Sequence, residues 1–159
     1  MGLFDLFKKS PPPVQTPAVK KHVVLVVDDE PFIRESYQDL LLAEGYNVIT
    51  APNGLEGVKL ATQHRPDIIL LDLLMPVMDG MTAIPELKKN PITKDIPIII
   101  LTNAGSVENI KQAGYYNVFT FLIKINISPE EILRIIRQAL LGRPPSSSYD
   151  PTNPPATPQ

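Results

Sequence analysis

The chain contains no cysteine and no tryptophan, and its 15 Lys+Arg against 17 Asp+Glu leave a formal net charge of only -2. Lack of thiols excludes a disulfide scaffold, a thiolate metal site and a cysteine nucleophile. Lack of a basic excess removes any general attraction to nucleic acid or an anionic membrane, so no nucleic-acid partner is expected. No apolar run exceeds about six residues, against the ~20 that a membrane-spanning helix needs. The start, Met1-Gly2-Leu3-Phe4-Asp5-Leu6-Phe7, is too short and too interrupted by Asp5 for a signal peptide, and Leu6 stands where a myristoylation signal has Ser or Thr. A cytoplasmic chain without a transmembrane segment is therefore expected.

The 159 residues, 43% hydrophobic and 20% charged, suit one globular domain. Proline is the abundant oddity. Ten of its 18 occurrences fall within residues 1–20 and 143–159. Such segments bury too little apolar surface to offset ordering entropy, so 1–21 and 143–159 read as tails around a folded unit at 22–142. Within the first tail, Leu3, Phe4, Leu6 and Phe7 form one short amphipathic turn that could dock on a partner or a membrane surface.

Four runs are apolar without alternation: Val23–Val27, Asp67–Leu71, Pro97–Leu101 and Val118–Ile123. Strands of that kind are covered on both faces, as in a parallel sheet. Residues 46–51 alternate instead and suit an edge strand. Between the strands lie helical patterns at 31–44, from Asn53 onward with Leu55, Val58 and Ala61 as its apolar side, at 80–89 despite Pro85, at about 104–113, and from Pro129 to the stop at Gly142. Asn53 with Glu56, and Ser128 with Glu131, read as capping pairs. Five strands alternating with five helices predict an α/β fold, a doubly wound, flavodoxin-like five-stranded parallel sheet.

The apolar strands end at Asp28-Asp29, Asp72, Thr102 and Lys124. Ligands of such sheets bind beyond the carboxyl ends of the strands, so these groups should converge on one rim. A single strand-end Asp is ordinarily a turn former or a helix cap. Four complementary ends ask for more. Three clustered carboxylates repel, and a hard divalent cation such as Mg²⁺ relieves them; no His or Cys competes for zinc. His22 and His64 stand away from the acids, and Lys88, Lys89 and Lys94 suit a helix C-terminus. A carboxylate held beside Mg²⁺ can attack phosphorus, with a lysine and a hydroxyl receiving the phosphoryl oxygens.

The stretches Val26-Val27-Asp28-Asp29-Glu30-Pro31, Asp72-Leu73-Leu74-Met75-Pro76-Val77-Met78-Asp79-Gly80 and Leu101-Thr102-Asn103-Ala104, with Lys124 22 residues after Thr102, resemble the receiver domain of two-component response regulators. The resemblance implies that Asp72 is the phosphoacceptor and that Asp28, Asp29, Asp72 and the backbone carbonyl of Leu74 hold Mg²⁺. It further implies that Thr102 is the switch hydroxyl, Phe121 the switch aromatic and Lys124 the phosphate-binding lysine. The expected partners are a histidine kinase or phosphotransfer protein as donor, and a downstream protein on the face of the fourth helix, fifth strand and fifth helix. Beyond phosphotransfer to itself and its own dephosphorylation, no enzyme activity is expected. Ile125 follows the lysine where the family has proline, and Gly114 lies further before Lys124 than is usual. No output domain fits within the tails, so a single-domain regulator signalling by protein contacts is the leading expectation. A degenerate receiver acting without phosphorylation is the alternative. A phosphohydrolase with an aspartyl nucleophile is set aside, because Leu74 stands where that class has its second acid.

Overall fold

A computed structural model describes residues 21–103 and 107–143. The expected tails, apart from residues 21 and 143, lie outside these residues, as do the Met1–Phe7 turn and the expected start of the fourth helix at 104–106.

Five strands, β1 (Val23–Val27), β2 (Asn47–Ala51), β3 (Ile68–Leu71), β4 (Ile98–Thr102) and β5 (Thr120–Ile123), form one sheet in the order β2-β1-β3-β4-β5, with every pair parallel. They alternate with α1 (Pro31–Ala43), α2 (Gly54–His64), α3 (Gly80–Lys89), α4 (Val107–Gly114) and α5 (Pro129–Leu140). The doubly wound α/β fold is thus as the sequence predicts. Chain order reverses between β1 and β3, which opens a crevice at their carboxyl ends.

Near-continuous aliphatic strands are explained by two cores. Leu25, Val27, Ile69, Leu71, Ile98 and Ile100 face α2, α3 and α4, where Ala61, Ile84, Leu87 and Ala113 meet them. The intervening Val24, Val26, Ile68, Leu70, Ile99 and Leu101 face Leu41 of α1 and Ile132, Ile135 and Ile136 of α5. Both capping pairs form: the Asn53 side chain accepts from the Glu56 N–H at 2.9 Å, and Ser128 Oγ from the Glu131 N–H at 3.2 Å. Helix α3 runs through Pro85 and is capped by Asp79, which accepts from the Thr82 N–H at 2.7 Å.

Two expectations need correction. Strand β5 was expected to be covered on both faces from Val118 onward. It begins at Thr120 and is the last strand of the sheet, so with a neighbour on one side only it leaves Phe121 and Leu122 half-buried and Ile123 44% exposed. Helix α2 does not bury Leu55, which is 50% exposed. Its buried positions are Gly54, Gly57 and Ala61, because the helix lies so close to β1 that a Cβ on Gly57 would stand 3.0 Å from both Val27 methyl carbons.

Candidate functional site

Backbone hydrogen bonds fix the two strand-end acids before their side chains are considered. The Asp28 N–H donates to Ala51 O at 3.1 Å, and the Asp72 N–H to Val27 O at 2.9 Å, so both continue the parallel ladder one residue past the strands. Their carboxylates meet that of Asp29 with oxygens within 4.8 Å of one another; Asp28 and Asp72 are buried and Asp29 half-buried. The loop after β3 returns tightly over Asp72. Gly80 donates its N–H to Leu73 O at 2.9 Å, and a Cβ there would lie 2.3 Å from Asp72 O. Only glycine fits that approach.

The fourth element of the site is Lys124, which opens a 3₁₀ turn over Lys124–Asn126 directly after β5. Its side chain is 5% exposed; Nζ donates to Asp72 Oδ2 at 2.8 Å, pairs with Asp28 Oδ2 in close contact, and reaches Glu30 Oε1 at 4.0 Å. Burial opposes the ammonium form, yet the hydrogen bonds and charges of Asp28 and Asp72 outweigh it and raise the lysine pKa. Asp28 shows the reverse balance. Burial raises its pKa even though Lys124 and the Glu30 N–H, at 3.0 Å from Oδ1, stabilise the carboxylate. Three carboxylates and one ammonium give the pocket a formal charge near -2, and all the ligand atoms on offer are hard oxygens. Such a set fits a divalent cation of the magnesium type.

Thr102 closes β4 and is buried at 3% exposure. The register Leu71↔Ile100 puts it one residue beyond the level of Asp72, on the same rim. Leu74 offers backbone rather than side chain: its N–H donates to Asp72 Oδ1 at 3.3 Å, while the side chain is 55% exposed. Phe121 stands apart. It pairs in register with Ile100 and packs on the α2–α4 side of the core rather than among the acids. His22 lies at the opposite end of the strands, with Nδ1 3.6 Å from Asp67 Oδ2. Among the described residues no peptide is cis, so Ile125 follows Lys124 through a trans bond and projects outward, 78% exposed.

Sequence reasoning missed two supports. Arg34, in the first turn of α1, donates from Nη1 to Asp28 O at 2.7 Å and so steadies the acidic turn from behind. Tyr37, one helical turn later, feels the charges of both Lys124 and Asp28, and burial raises its phenol pKa. The available signal was helical spacing: residues 34 and 37 lie three apart, on one side of the helix that starts directly after the acids.

Comparison with known proteins agrees with this geometry. Residues 24–137 match the family model described as the response regulator receiver domain. The DNA-binding dual master transcriptional regulator RpaA of Synechocystis is 37% identical over 120 residues, which are 76% of this chain and 49% of that protein. The chain spans about half the length, or less, of the first curated relatives it matches. An uncharacterised 14.6 kDa protein of Leptolyngbya boryana is 33% identical over 124 residues, 78% of this chain and 94% of that one. Among solved structures, Vibrio cholerae chemotaxis protein CheY4 superposes with a TM-score of 0.70 at 31% identity, covering 76% of this chain and 99% of that one. The receiver domain of sensor histidine kinase PA1611 from Pseudomonas aeruginosa, solved with a magnesium ion coordinated in its active site cleft, gives 0.69 at 26% identity over 76% and 98% of the two chains. Over residues 24–137, most of its length, the chain belongs to the response regulator receiver domain family.

Proposed function

We propose that the chain is a phosphate-accepting signalling receiver in which Asp72 takes a phosphoryl group from a phosphohistidine on a histidine kinase or phosphotransfer protein. The observation that carries this is the pocket's charge: three carboxylates within 4.8 Å of one another, answered by the single ammonium of Lys124. A carboxylate oxygen of Asp72 attacks phosphorus, the P–N bond breaks, and the imidazole nitrogen leaves with the electron pair and takes up a proton. Bound Mg²⁺, which the Pseudomonas receiver carries in its cleft, would neutralise the approaching phosphoryl oxygens. Asp28, Asp29 and Asp72, with the Leu74 carbonyl, would hold it. Lys124, already 2.8 Å from Asp72, would follow the phosphoryl oxygens, and the Thr102 hydroxyl would donate to one of them.

The output would then pass through the surface of α4, β5 and α5, with half-buried Phe121 as the reporter of the modified state. Signalling by surface contact is the reading this surface supports, and the uncharacterised 14.6 kDa relative, 94% of which this chain spans, is of receiver size. A donor fed by ATP goes with a cytoplasmic setting; no helix among the described residues is long and apolar enough to cross a membrane.

Phosphate-affinity electrophoresis after incubation with acetyl phosphate and Mg²⁺ tests the reading. The native chain should shift, and Asp72→Asn should not. A native chain that never shifts, from acetyl phosphate or from a phosphodonor protein, would favour a phosphorylation-independent interaction module; an unchanged shift in Asp72→Asn would move the acceptor elsewhere.

A further inference from the structure

At the end of the sheet opposite the acids, a cleft of about 540 Å³ opens between the loop preceding β4, the loop preceding β5 and the last turn of α5. Its size lies within the range of small-molecule sites, and nothing in the phosphotransfer chemistry uses it. Three cations line it, Lys88, Lys94 and Arg143, against one acid, Asp95. The Lys88 ammonium is half-buried and held by two backbone carbonyls, Lys94 O and Ile96 O, at 3.1 Å each. An ammonium has three N–H donors, so this anchoring leaves one for a ligand. Burial lowers the Lys88 pKa, and the Asp95 carboxylate opposes that shift. Lys94 and Arg143, also in the lining, are exposed. The apolar part of the wall comes from Pro97, Val118, Phe119 and Ala139, with Phe119 half-buried against the second core.

The C-terminal ends of α3 and α5 border the cleft, each with a partial charge of about -0.5, and trim the formal excess of two positive charges to roughly one. A polyanion gains little there. A small anion of low charge that also carries a flat ring gains on both counts, from the cations and from contact with the apolar wall.

We propose that this cleft is a binding site for a small aromatic anion of nucleoside-monophosphate size, separate from the phosphorylation pocket. Adenosine monophosphate serves as the probe, with adenosine and inorganic phosphate as its two halves, in EDTA so that the acidic pocket holds no metal. Amide NMR of the full chain should show saturable shifts at Lys88, Asp95, residues 117–119 and Gly142, with little change at residues 28–30 and 72–74. The monophosphate should bind at least about fivefold more tightly than either half. The charge reversal Lys94→Glu with Arg143→Glu, both on exposed side chains, should weaken it about tenfold while leaving the native amide spectrum elsewhere unchanged. No saturable shift at these amides up to about 10 mM probe would overturn the proposal. So would full affinity in the doubly reversed variant, or inorganic phosphate binding as tightly as the monophosphate.

Discussion

Replacing Lys124 by methionine keeps the length and much of the volume of the side chain while deleting the only ammonium shown among the three acids. Asp28 and Asp72 are 3% and 6% exposed, so water cannot take over the lost partner. Breaking one side of a buried ion pair costs about 3–5 kcal/mol. A ceiling comes from protonation: forcing one carboxyl from its ordinary range to be neutral near pH 7 takes about three units, or ~4 kcal/mol. The expected deficit of Lys124→Met at that pH without metal is therefore about 3–4 kcal/mol. Its pH dependence has a definite sign. Below the raised carboxyl pKa the variant's native state binds a proton that the unfolded chain has released, so its stability rises as pH falls, by about 1.4 kcal/mol per unit, until the ordinary carboxyl pKa of the unfolded chain near ~4 is reached.

Magnesium should reverse the ranking of effects. The lysine competes for the same carboxylates, and removing one positive charge from a screened cation site is worth on the order of 1–2 kcal/mol, or about tenfold in affinity. At a concentration about ten times the wild-type dissociation constant, Mg²⁺ stabilises the wild type by ~1.4 kcal/mol and a tenfold tighter variant by ~2.7. Urea denaturation of both proteins at two pH values, with and without Mg²⁺, reads all of this. Equal stability of variant and wild type near neutral pH, or equal stabilisation by Mg²⁺, would refute the picture of a lysine acting as the pocket's resident counter-ion.

Gly80→Ala would place a Cβ 2.3 Å from Asp72 O, so the loop must move away from the proposed acceptor; phosphorylation from acetyl phosphate should fall at least about tenfold, and a wild-type rate would show that the loop yields without disturbing Asp72. Val77 has φ +70° and is 78% exposed, so Val77→Gly should remove about 1–2 kcal/mol of left-handed strain against ~0.5–1 of added chain entropy. A small rise in melting temperature is expected, and a fall would show that the valine makes contacts worth more than its strain. Because the Lys124 pKa is raised above 10.5, its stabilisation is intact below that value and lost as pH climbs through the raised one. The gap between wild type and Lys124→Met should accordingly stay flat from neutral pH to about 10 and then narrow; a gap that closes well before that would contradict the raised value.

What could be read from the sequence follows from what local pattern encodes. Val23–Val27 and Ile98–Leu101 are aliphatic at every position, and that alone fixes them as strands sandwiched between helices. Polar residues closing those strands were legible as a rim for the same reason. The edge position of β5 was not, since Thr120–Ile123 is as apolar as an interior strand and only sheet order reveals its open side. Leu55 misled because α2 packs through glycines, Gly57 against Val27 and Gly54 against Met78 and Ala83, and a glycine gives no apolar signal in the sequence. Lys124 was legible as a cation on the same rim as the acids; that its ammonium bridges Asp28 and Asp72 needed three strand ends and a 3₁₀ turn placed together.

The site is thus poised by its own frustration. Burial makes the Asp28 carboxylate costly, as its raised pKa shows, and one ammonium shared between two acids relieves only part of that cost. Any reaction that adds cationic charge, or that converts Asp72 into a group able to take the lysine for itself, changes which contacts the lysine can keep. Lys124 joins the end of β5 to the acids on β1 and β3, so its allegiance is a mechanical link between the pocket and the exposed edge of the sheet. Under the proposed phosphorylation the same side-chain charge would also be the tie through which the state of the pocket reaches β5, and with it half-buried Phe121.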